Sequence, residues 1–178
     1  SAPTATDCDD GSFWTAGSAT SDSICIMLTD GNIKSYTNEC LATDADNGSC
    51  NGSPFGPIQS WNVSNVTDFS QLFLSKSAFN GNITSWDTGA STSFAGMFGE
   101  AKAFNQPIGK WNTGASTSFA GMFRSALKFN QPIGEWNTSA ATSFERMFEN
   151  AEVFSQPIGN WDTSNGSTNG MFYGTLML

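Results

Sequence analysis

The chain contains no histidine, and its seven Lys or Arg face sixteen Asp or Glu, a formal net charge of -9 over 178 residues. Without histidine, a serine nucleophile lacks its usual base and a metal centre lacks its commonest ligand. No C-x-x-C pair compensates, so no zinc site, other metal or cofactor is expected. The few cations are scattered rather than clustered, which excludes nucleic acid and anionic membrane surfaces as partners. No apolar run approaches the roughly 18 residues of a membrane-spanning helix, so membrane insertion is excluded too. Aromatic residues are as frequent as charged ones, each 13%, so there is ample material for a core under a surface of Ser, Thr, Asn and Gly, and disorder is not expected.

The acid excess lies at the front, where residues 1–50 hold eight Asp or Glu against one Lys. All four cysteines, Cys8, Cys25, Cys40 and Cys50, share this stretch, an even number in the segment with the weakest hydrophobic pattern. They predict two disulfides and an oxidising compartment, with all three pairings open. Ser1-Ala2-Pro3-Thr4 reads as a mature terminus after signal cleavage.

From Trp61 onward one pattern recurs every 25 residues, at Trp61, Trp86, Trp111, Trp136 and Trp161. In the same register come Phe69, Phe94, Phe119 and Phe144, then Leu72-Phe73, Met97-Phe98, Met122-Phe123 and Met147-Phe148, then Phe79, Phe104, Phe129 and Phe154. Ile83, Ile108, Ile133 and Ile158 close each unit, preceded by Gln106-Pro107, Gln131-Pro132 and Gln156-Pro157. One such unit cannot repay its own ordering entropy, whereas stacking lets each apolar face cover the next. Phe119, Met122 and Phe123 have helical spacing and predict a short helix over 117–123; the Gln-Pro-Ile-Gly and Trp-Asn-Thr stretches predict short strands or extended rungs. We therefore expect an LRR-like solenoid of about five repeats over 57–178, the last one incomplete, behind a Cys-containing cap or docking segment over 1–56.

The pattern F-N-Q-P-I-G-x-W-N-T-S followed by T-S-F-x-x-M-F-x-x-A resembles the BspA-like leucine-rich-repeat surface proteins over residues 61 to about 172. The resemblance implies a secreted or surface-attached solenoid acting in adhesion or matrix rather than catalysis. Asn82 stands where later units have Pro, and the last unit is one residue short; residues 1 to about 56 carry no resemblance.

Candidate sites are few. Aromatic ladders at fixed register read as core rather than as sugar platforms. Sequons stand at Asn47, Asn51, Asn62, Asn65, Asn82, Asn137 and Asn165, the second weakened by Pro54. Rows of Thr at Thr88, Thr113, Thr138 and Thr163, and at Thr92, Thr117 and Thr142, suit turn hydrogen bonds better than ice. Asp44, Asp46 and Asn47 miss the oxygen spacing of an EF-hand and read as a solvated loop. Glu100, Glu135 and Glu149 sit at variable positions of the unit and do not converge, so no enzyme is expected. Phe172, Tyr173, Leu176 and Leu178 are self-association residues, or their own cap at the back of the stack, or the point at which a longer chain is cut. The chain is accordingly expected to be an extracellular structural protein that joins itself head-to-tail into a fibril or coat. The competing expectation is a monomeric adhesin for another extracellular protein or a glycan.

Overall fold

The computed structural model describes residues 27–50 and 56–176, and the backbone alone of two short antiparallel strands, β1 (Phe13–Trp14) and β2 (Cys25–Ile26). Cys8, the side chain of Cys25, Asn51 and Leu178 lie outside the described residues. Cys40 and Cys50 are joined in a disulfide.

Helix α1 (Ile33–Thr43) is amphipathic, burying Ile33, Thr37, Cys40 and Leu41 at the i, i+4, i+7, i+8 spacing of one helical face. A 3-10 turn, Ile58–Ser60, leads into the repeats.

Among the described residues, the repeats contain no α-helix. The expected helix over 117–123 does not form, and the hydrogen bonds show why. Peptide N–H groups of Phe119, Gly121, Phe123 and Ser125 donate to Ser143, Glu145, Met147 and Glu149 of the following unit. Those of Met122, Arg124 and Ala126 close three-residue turns onto Phe119, Gly121 and Phe123. An α-helix needs every N–H for the carbonyl four residues back; here every second one is spent on the neighbouring unit. Left-handed residues make the alternation possible, Gly121 at φ +60° and Ser125 at φ +56°. Successive units are tied by parallel bridges from Asp68 through Ser93, Ser118 and Ser143 to Ser167; these isolated bridges take the place of the expected strands.

The core is a set of aromatic columns. Phe73, Phe98, Phe123, Phe148 and Phe172 stack nearly parallel with centroids 5.5 to 5.6 Å apart. Phe79, Phe104, Phe129 and Phe154 form a second column at 6.0 Å. Within a unit the two columns meet face to face, Phe98 on Phe104 and Phe123 on Phe129 at 3.8 Å. The five repeat tryptophans are buried; the Trp61 indole N–H donates to the Gly56 carbonyl, and those of Trp86, Trp111, Trp136 and Trp161 each donate to an isoleucine carbonyl 28 residues back, Trp111 to Ile83 and Trp136 to Ile108 both at 3.2 Å. This is the pairing a buried indole requires.

The F-N-Q-P motif builds an amide ladder. Asn80 Oδ1 accepts from the Asn105 N–H and the Gln106 amide, Asn105 Oδ1 from the Asn130 N–H and the Gln131 amide, and Asn130 Oδ1 from the Ser155 N–H and the Gln156 amide. Side-chain amides thus supply the hydrogen bonds that proline withholds from the backbone on this side.

Candidate interaction surfaces

At the front of the stack, residues 27–50 occupy the place of a preceding unit. The Asp30 carboxylate accepts the N–H groups of Thr67 and Asp68 and the Thr67 hydroxyl at 2.7 to 2.9 Å. In later units the same N–H, of Thr92 or Thr117, donates to a carbonyl of the preceding unit, so Asp30 stands in for that carbonyl. Partial burial raises the Asp30 pKa, but the bonds from Thr67 and Asp68 outweigh it and hold the carboxyl below its ordinary range. Farther on, the Asp46 carbonyl takes the Asn80 N–H and the Gly48 carbonyl the Ile58 N–H. Leu28, Ile33, Leu41 and the Cys40–Cys50 bridge share one apolar cluster with Val63, Phe69 and Phe73.

The back of the stack differs. Met171 is buried and Phe172 half-buried against Phe148, but Tyr173 is 72% and Leu176 66% exposed. Tyr173 borders a shallow hollow with Glu145, Arg146, Glu149, Asn169 and Gly170. Of the residues expected at this end, Phe172 is spent on the Phe148 column, while Tyr173 and Leu176 face outward.

Along one side runs a furrow over Pro107, Gly109, Pro132, Gly134 and Pro157, with Lys110 and Glu135 at its rim. Proline rings make its walls because Pro107, Pro132 and Pro157 are exposed in register.

Apart from Thr163, which is exposed, the threonines of the two rows are committed to the backbone. Thr88, Thr113 and Thr138 are buried and donate to the carbonyls of Asn112, Asn137 and Asp162. Thr92, Thr117 and Thr142 are exposed, and their hydroxyls donate to the threonine carbonyl one unit back. Of the sequon asparagines, Asn47, Asn65, Asn82, Asn137 and Asn165 are exposed and Asn62 is half-buried. Asn62, Asn82 and Asn137 each accept from the N–H and hydroxyl of the Ser or Thr two residues on, an Asx turn that the unit repeats as Asp162 to Ser164. The Ser164 hydroxyl and N–H hold the Asp162 carboxyl below its ordinary range. The Asp44 carboxyl is likewise lowered, first by the Ser49 hydroxyl bonded to it.

The repeat carboxylates stay apart. Glu100 pairs with Arg124 at 2.9 Å, Glu149 lies 3.9 Å from Arg146, and Glu135 is exposed on the furrow. No cluster of metal-ligating side chains occurs among the described residues, nor is any helix there long and apolar enough to cross a membrane.

A chain built of near-identical stacked units, its aromatics spent on the core and its polar side chains on the backbone, is a repeat protein. It belongs to the family described as Mycoplasma protein of unknown function, DUF285, whose model matches residues 48–161. No curated protein and no solved structure matches the chain.

Proposed function

We propose that the protein is a secreted, non-enzymatic structural protein: an LRR-like solenoid of the BspA-like surface type that acts as a subunit of an extracellular fibril or coat. The observation that carries this reading is the exposed apolar pair Tyr173 and Leu176, next to the half-buried Phe172. The Cys40–Cys50 disulfide supports an oxidising, extracellular setting. The exposed sequons suit a glycan coat on a surface poor in charge.

Joined head-to-tail, the 168–176 edge of one copy packs on the N-terminal segment of the next, a heterologous contact that propagates into a filament unless it closes. Sedimentation and negative-stain imaging of the secreted protein test this. Filaments with an axial repeat near one subunit length are expected, dissociating in Tyr173→Asp/Leu176→Asp; polymers that persist in that variant refute the edge contact.

A monomeric adhesin is the second reading. What favours it is the front of the stack, where α1 and Asp30 cover the first unit and prevent a simple continuation of the coils. It requires a monodisperse monomer that binds a glycan or matrix array above background.

A further inference from the structure

One residue of every unit lines the furrow from the same register. Pro57, Asn82, Pro107, Pro132 and Pro157 stand 25 residues apart, and only Asn82 departs from proline. Past Thr84 and Ser85 the furrow runs on into a hollow lined by Pro57, Gln59, Asn80, Asn82 and Gln106. Its floor lacks side chains at Gly109 and Gly134. The peptide N–H groups of these glycines, and those of Lys110 and Glu135, bond to nothing among the described residues.

The rims are polar without net charge. Lys110 and Glu135 hold the same place in successive units and cancel. On the Gln-Pro side the amide ladder leaves groups unused. Asn80 Oδ1 accepts from Gln106 Nε2, whereas Asn80 Nδ2 and Gln106 Oε1 have no partner among the described residues. Asn105 Nδ2 and Gln131 Oε1 are likewise unpartnered one unit on.

Spacing decides what such a row can hold. The parallel bridges set neighbouring units at the separation of adjacent β-strands, about 4.8 Å, and a register position recurs along the furrow at that interval. An extended peptide turns the same side to a surface about every 6.7 Å, and a polyproline helix about every 9.3 Å; neither keeps step with the row. A β-1,4-linked pyranose chain does, being a flat ribbon that advances by nearly one β-strand separation per ring. Its ring faces are C–H and its edges hydroxyl. Faces laid on the prolines remove apolar surface from water on both sides, and edge hydroxyls meet the unpartnered amides and peptide N–H groups. An acidic or sulfated chain would find no cluster of cations here. We propose that the furrow binds a neutral β-1,4-linked glucan lying along the stack, one glucose ring per repeat unit. This rests on the second reading, an adhesin for a glycan, and names the face and the sugar.

Cello-oligosaccharides from cellobiose to cellohexaose, titrated against the full chain by calorimetry and amide NMR shifts, test this. Affinity is expected to rise ring by ring until the five positions of the row are filled, and to be insensitive to salt because the ligand is neutral. Amide shifts are expected at Gly109, Lys110, Gly134 and Glu135 and not at Thr92 and Thr117. Maltohexaose, the same sugar in a coiled α-linked chain, is expected not to bind. Pro107→Ser/Pro132→Ser is expected to weaken cellohexaose binding at least tenfold, and Thr92→Ser/Thr117→Ser to leave it unchanged. Since removing prolines also loosens the unfolded chain, the shift map of the unsubstituted protein locates the site independently of any loss of stability. No binding of cellohexaose, equal binding of maltohexaose, or shifts confined to another face overturns the inference. If it fails while a different glycan is retained on the array, the adhesin reading stands without it; silence across the array removes that reading as well.

Discussion

Three glycines occupy the same place in successive units, yet an added methyl group meets different surroundings at each. At Gly109 an ideal Cβ lies 2.3 Å from the carbonyl oxygen of Pro132 in the next unit, and at Gly134 it lies 2.5 Å from that of Pro157. At Gly159 nothing lies within 4 Å. None of the three has a left-handed φ, so alanine costs no backbone strain at any of them. At Gly109 the contact is about 1 Å shorter than van der Waals distance and the obstacle is backbone, so the units must part or tilt. Overpacking of this kind costs about 1–3 kcal/mol. The Trp136 bond to the adjacent Ile108 carbonyl lengthens as the interface opens, adding about 1 kcal/mol. Gly109→Ala is therefore expected to lose about 2–4 kcal/mol, with Gly134→Ala close behind. Gly159→Ala is expected to gain a few tenths to about 1 kcal/mol by restricting the unfolded chain. Urea unfolding followed by tryptophan fluorescence measures the three midpoints, with the slope checked for constancy because stacked units need not unfold in one step. Equal losses at Gly109 and Gly159 would refute the claim that close approach of the next unit's proline carbonyl fixes this glycine.

The left-handed position filled by Gly96 and Gly121 is occupied by Gln71 in the first unit, at φ +60°. Gln71→Gly should raise the urea midpoint by the equivalent of about 1 kcal/mol, and Gly121→Ala should lower it by a similar amount although no atom lies within 4 Å of its new methyl group. Asn105→Ala strands the Asn130 N–H and the Gln131 amide, and a loss of about 1–3 kcal/mol is expected in thermal or urea unfolding; no loss would show that water replaces the ladder. Asp30, Asp44 and Asp162 all have lowered folded-state pKa values, so their contribution is complete above the unfolded carboxylate range and fades as pH falls through the folded values, below about pH 4. Stability measured from pH 7 to pH 2 should be flat at first and then fall. Asp30→Asn should flatten part of that fall, and an unchanged acid limb would remove Asp30 from the cap. Replacing Cys40 and Cys50 together by serine frees a loop of sequence separation 10 and should cost about 2.5–3 kcal/mol, read as a lower urea midpoint.

The residues that form the core were legible because burial and periodicity are the same signal: the Trp, Phe and Met-Phe positions repeat, and Trp61, Phe94, Met122 and Phe148 are all buried. Their backbone was not legible. Phe119, Met122 and Phe123 carry helical spacing because a chain of tight turns also closes bonds across three residues, and periodicity cannot tell one from the other. The discriminating feature is conformation at the intervening positions, and there the residue types blur it. Gly96 and Gly121 announce φ above zero, whereas Gln71, Arg146, Glu100 and Asn150 adopt it without announcing it, held by the units on either side. The asparagine of F-N-Q-P was visible as a repeat, but its use, a side chain accepting from the backbone of the next unit, exists only after stacking.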